Sequence, residues 1–121
     1  MIGILQNRFP DLAEALAAIA ARLQDLLPVT RNHYYHPDML GSWSIKSVLP
    51  AIAPDLDYAE LEGIRDGAAA ADAYLCAISA ETTNEERARL EQQLRDYCRF
   101  DTLAMVSLLR FFESGGRPAG E

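Results

Sequence analysis

Leu90-Glu91-Gln92-Gln93-Leu94-Arg95-Asp96-Tyr97-Cys98-Arg99-Phe100-Asp101-Thr102-Leu103-Ala104-Met105-Val106-Ser107-Leu108 is the stretch from which the fold can be read. Leu90, Leu94, Tyr97, Asp101, Ala104 and Leu108 recur at steps of four and three residues, which lines them up on one stripe of an α-helix. Thr83 and Glu86, just ahead, have the spacing of a capping box. Ser114-Gly115-Gly116-Arg117-Pro118, behind, cannot continue a helix. One long helix is therefore expected, ending near Phe112 or Glu113. Its stripe should face a core, yet Asp101 stands in the middle of it, one turn past Tyr97. A carboxylate in that place is costly unless it is paired, hydrogen-bonded or bound to metal. Spacing leaves two readings open: Asp101 pairs with an Arg or Lys or caps a neighbouring helix, or it breaks the pattern because it has a function.

Working outward, Asp66-Gly67 opens an alanine-rich helix with Ala71, Tyr74, Leu75 and Ile78 on one side. Asp57 and Glu60 suggest a brief helical turn stopped by Gly63. Ser44 reads as the N-cap of a short helix carrying Ile45, Val48, Leu49 and Ile52, which Pro50 should kink or break. From Val29 to Gly41 no helical period is visible, and an extended loop is expected, with room for a short strand near His33-Tyr34-Tyr35. The first helix should begin near Pro10-Asp11, carry Leu12, Leu16, Ile19, Leu23 and Leu26 at helical spacing, and end at Pro28. These readings sum to a mainly α protein of four to five helices with at most one short strand. It forms one helical domain over residues 1–113, followed by a flexible tail over 114–121.

The 121 residues suffice for one modest core. The net charge of −7 argues against a protein that coats a phosphate backbone. Cys76 and Cys98 lack CxxC spacing and are expected as buried small hydrophobes. The start, Met1 to Arg8, is unlike a signal peptide, and no apolar run is long enough to span a bilayer, so a cytoplasmic protein without a membrane partner is expected.

At Tyr97-Cys98-Arg99-Phe100-Asp101 the chain carries a Tyr-x-x-x-Asp element, and the segment from Leu94 to Met105 resembles the third motif of the DEDD 3′–5′ exonucleases, enzymes of RNase H-like fold. The segment from Tyr35 to Pro50 is similar to part of an uncharacterised bacterial domain family thought to be a nuclease of this kind. Tyr58, Asp66-Gly67, Ala71 and the Tyr97–Asp101 element follow in that family's order. The resemblance implies that Tyr97 orients an attacking water and that Asp101 binds a divalent cation, Mg²⁺ or Mn²⁺. The first motif of such enzymes, an Asp-x-Glu on an early strand, is absent. Asn7 is the nearest match to the second motif and lacks its acidic partner. Asp25 matches a recurring family position without a ligand role. The resemblance thus implies a C-terminal helical fragment, or shortened relative, of an exonuclease-like domain, inactive alone. Nucleic acid becomes a partner only in a complete enzyme.

Other candidates are weaker. His33, His36 and Asp38 lack a third strong zinc ligand. Tyr34, Tyr35 and Trp43 are expected to anchor a loop rather than stack on bases, and Lys46 to be a surface lysine. The alternative to a nuclease remnant is a helical interaction module. Helices without a sheet to cover expose an apolar face, so self-association through the Leu12–Leu26 stripe, the final helix or both is expected.

Overall fold

A long terminal helix organises the molecule. The computed structural model describes residues 1–117; Pro118 to Glu121, and with them half of the expected flexible tail, lie outside the described residues. The element order is α1 (Ile2–Arg8), α2 (Ala13–Ala20), α3 (Leu26–His33), α4 (Ile45–Ile52), α5 (Gly67–Ile78) and α6 (Asn84–Glu113), with single 3-10 turns at Pro10–Leu12, Pro37–Met39 and Tyr58–Glu60. No strand occurs among the described residues, so the chain is mainly α, with six helices rather than four to five.

The 30 residues of α6 span about 45 Å. Thr83 caps its start, the hydroxyl accepting from the Glu86 amide at 3.2 Å. Its end is a paired hydrogen-bond stop: the Gly115 amide donates to the Phe112 carbonyl and the Gly116 amide to the Phe111 carbonyl, with φ of +75° at Gly115 and +78° at Gly116. Every member of the Leu90–Leu108 stripe is withdrawn from solvent at least in part, as its spacing requires. The first half of α6 packs along α5 and the second half on α4. The core forms there, from Met39, Val48, Leu49, Ile52, Tyr58, Ala104, Leu108 and Phe111.

Several local readings are corrected. Pro28 does not end a helix but sits in the first turn of α3, where its missing N–H has no intrahelical partner to lose. The Asp25 carboxylate caps that turn, accepting from the Leu27 amide at 2.9 Å, so Asp25 has a structural role. The helix beginning near Asp11 is accordingly split in two, and α3 occupies part of the stretch expected to be extended; no strand forms at His33–Tyr35. Pro50 does not break α4, which continues to Ile52, because one missing N–H in a last turn is tolerable there. On α5 the buried side is Ala73 and Ala77, while Tyr74, Leu75 and Ile78 are exposed. Small side chains allow α5 to approach α6 closely, so alanines rather than large residues mark its inner face. Cys76 and Cys98 are exposed free thiols for the same reason: each lies off the face its helix buries.

Leu49→Ala should cost about 2–5 kcal/mol in urea unfolding because Leu49 is wholly enclosed, whereas Leu75→Ala should change stability by less than about 0.5 kcal/mol. Equal losses at the two positions would contradict this division between core and surface.

Candidate functional site

Asp101 is drawn inward on α6, one turn before the fully buried Ala104. The partner that makes this tolerable is a phenol. The buried Tyr58 hydroxyl donates to Asp101 Oδ1 at 2.6 Å. A hydrogen bond to an ionised acceptor is stronger than a neutral one and offsets much of the carboxylate's lost hydration. No Arg or Lys pairs with Asp101 among the described residues, and it caps no helix.

Local sequence explains how Tyr58 arrives. Asp57 starts the 3-10 turn by accepting from the Ala59 amide at 2.8 Å, which turns the Tyr58 ring towards α6. The ring meets Phe100 edge to face at 4.7 Å between centroids. The Lys46 ammonium lies over the same ring, 5.7 Å from its centre. Lys46 is thus an exposed lysine resting over an aromatic face. Burial, and then the adjacent Asp101 carboxylate, hold the Tyr58 phenol well above the ordinary phenol range.

Tyr97 stands one turn before Asp101 and is half-buried. Its hydroxyl faces the start of α5, where a Cβ added to Gly67 would lie 3.9 Å away. Asp66 caps that start by accepting from the Ala69 amide at 2.8 Å, as the Asp66-Gly67 pair suggested. Burial first, then Asp101 and Asp66, push the Tyr97 phenol up, so it stays neutral beside two acids. The structure therefore gathers Tyr97, Asp101, Tyr58 and Asp66 around the junction of α5, α6 and the 3-10 turn. Sequence spacing identifies the Tyr97–Asp101 pair and misses that Tyr58 binds Asp101. The signal available was a tyrosine directly after the helix-capping Asp57.

The donor set does not suit a metal centre. Two-metal chemistry needs several carboxylates around a pair of ions. Here one Asp101 oxygen is engaged by Tyr58, and among the described residues no group of three or more His, Cys, Asp and Glu is placed to hold an ion. The described residues do not by themselves fit such a centre. The His33, His36 and Asp38 segment does not either: His36 Nδ1 accepts from the Asp38 amide at 3.2 Å and lies 3.5 Å from Asp38 Oδ2. Tyr34 and Trp43 act as anchors, since Trp43 Nε1 donates to the Tyr34 carbonyl at 2.9 Å and the Tyr34 ring meets Phe111 at 4.9 Å.

Among known proteins, residues 1–44 match the family described as Domain of unknown function (DUF2779). That match covers about a third of the chain and ends before α4, leaving Tyr58, Tyr97 and Asp101 outside it. No curated protein and no solved structure matches the chain. No helix among the described residues is long and apolar enough to cross a membrane.

Tyr58→Phe should destabilise the protein by about 1–3 kcal/mol, because a half-buried carboxylate is left without its donor. In a double-mutant cycle with Asp101→Ala, the two losses should overlap by at least about 1 kcal/mol. Simple additivity in urea unfolding would show that the pair does not interact.

Proposed function

We propose that the chain is the C-terminal helical portion, or a shortened relative, of a metal-dependent 3′–5′ exonuclease-like domain. On this reading Asp101 is its single metal-binding carboxylate, Tyr97 is the phenol that orients water, and the chain alone does not cleave. The observation carrying it is the inward Asp101 carboxylate one turn past a neutral, half-buried Tyr97 on the core-facing stripe of α6. A Mg²⁺ or Mn²⁺ site, and with it contact to nucleic acid, requires further acidic residues from another segment or chain. What this chain contributes is a rigid helix that presents Tyr97 and Asp101 in register, with Tyr58 orienting the carboxylate.

A second reading has its own observation. Ile4 is 71% exposed, Leu23 62%, Leu75 62% and Ile78 58%, so large apolar side chains are bare on several helices. It favours a helical module that self-associates.

Incubated with Mg²⁺ or Mn²⁺ and labelled single-stranded DNA, the isolated chain should release no nucleotide above the blank. Mn²⁺ binding followed by electron paramagnetic resonance should become tight, and Asp101-dependent, only when a segment carrying an Asp-x-Glu strand is joined or added. Robust cleavage by the chain alone that disappears in Asp101→Ala would overturn the claim of an incomplete site. Binding in the joined form that is indifferent to Asp101 would overturn its role as a ligand.

A further inference from the structure

Helices α3, α4 and α6 leave a cavity of about 260 Å³ between them. Its walls are Leu26 and Thr30 of α3, Ile45 and Val48 of α4, and Met105 and Leu108 of α6. Thr30 is 1% exposed, and its hydroxyl proton is engaged by the Leu26 carbonyl at 2.8 Å. The inner wall therefore offers water almost no partner. Apolar cavities of this kind stay dry, and one of about 150 Å³ already takes up a benzene. This one has room for a phenyl ring with a short alkyl stem.

One end of the cavity is polar. Leu27, Trp43 and Ser44 line both the cavity and an adjoining open cleft, so the two are continuous around the indole. Trp43 is fixed there by the bond from Nε1 to the Tyr34 carbonyl. The cleft adds Arg31 and Ser42. Arg31 is exposed and makes no ion pair among the described residues. The Ser44 hydroxyl caps nothing, and Ser42 Oγ accepts from the Ser44 amide at 3.3 Å, which leaves its proton free to donate. A guanidinium and two hydroxyls thus border one end of an otherwise apolar hollow. Small-molecule sites fix the polar head of an apolar ligand by such a placement.

Charge decides which head fits. The chain carries a net −7, yet no acid lines the cleft. Asp25 borders the apolar cavity, and one of its oxygens is committed to the Leu27 amide. It stands six residues before Arg31, about 9 Å away at the rise of a helix. An unpaired guanidinium selects an oxyanion, which its planar fork can meet with two hydrogen bonds. The acidic remainder of the chain disfavours a dianion such as a phosphate monoester, so a carboxylate fits better.

We propose that the α3–α4–α6 cavity and its Arg31 cleft bind a small amphipathic carboxylate. Its aryl or alkyl body lies among Leu26, Ile45, Val48 and Leu108, and its head meets Arg31. None of these residues belongs to the Tyr58, Tyr97 and Asp101 cluster, so the site is independent of the exonuclease-like reading.

Trp43, the only tryptophan, lines both compartments and reports on the site directly. Its emission and its indole ¹H–¹⁵N resonance, followed on the full chain during titration with 3-phenylpropionate, should change saturably below about 10 mM. The amide and the amine of the same skeleton should bind at least about tenfold more weakly. Arg31→Gln should remove the preference for the carboxylate while the far-UV circular dichroism and the binding of the amide stay unchanged. Ile45→Phe, which fills the cavity, should abolish the response to all three probes with a native circular dichroism spectrum. Equal binding of carboxylate, amide and amine would overturn the anionic assignment, and tighter binding of phenethyl phosphate would overturn the choice of carboxylate. The absence of a saturable response to any probe would overturn the site itself. A Trp43 signal that varies with protein concentration and ignores the probes would assign the groove to a second copy of the chain, and would overturn the proposal too.

Discussion

A single hydrogen bond, from the Tyr58 phenol to the Asp101 carboxylate, reconciles an acid with the core-facing stripe of α6. Without it, the longest helix of the protein would carry an uncompensated charge at the point where α4, α5 and the Tyr58–Glu60 turn converge. The bond couples residues 43 positions apart and ties the Tyr58–Glu60 turn to the spine. It also constrains what the carboxylate can do. One oxygen is committed to a neutral donor, and any ligand must be met by the other.

That constraint shapes the functional reading. The proposed reading takes Tyr97 and Asp101 as water-orienting phenol and metal-binding acid, but the neighbouring groups are a second phenol and a helix-capping Asp66, not a ring of acids. A half-buried tyrosine next to a carboxylate stays protonated and donates, which suits positioning a water or holding an acid in place and does not suit holding two cations. The donor set among the described residues is one carboxylate with an oxygen already engaged, and several apolar side chains are bare elsewhere on the surface.

Much of the architecture was legible because helix signals are local. The Thr83 and Asp66 caps and the four-three spacing on α6 describe the structure well, since each rests on hydrogen bonds within a few residues or on the pitch of one helix. Errors arose where a local sign has two meanings. Pro28 reads as a terminator and Pro50 as a kink or break, yet proline is tolerated in a first turn and near the end of a short helix. On α5, large apolar residues outweighed Ala73 and Ala77 as markers of the inner face, although close helix packing selects small ones. The site was half legible. Tyr97 and Asp101 are neighbours along one helix, whereas Tyr58 arrives through the tertiary fold, which spacing along the chain does not encode.

The most direct measurement is a pH titration of ¹³Cζ-labelled tyrosine by NMR, with Tyr58 assigned by its Phe variant. The folded protein holds the Tyr58 proton more tightly than the unfolded chain does. The stability this contributes is therefore intact below the ordinary phenol pKa of 10.0 and falls away as pH rises towards the raised value. The account predicts that the Tyr58 resonance stays in its protonated position through the ordinary phenol range while the fold persists, and that Asp101→Ala brings its titration down towards that range. A Tyr58 resonance that moves with a midpoint near the ordinary phenol value of 10.0, unaffected by Asp101→Ala, would contradict it.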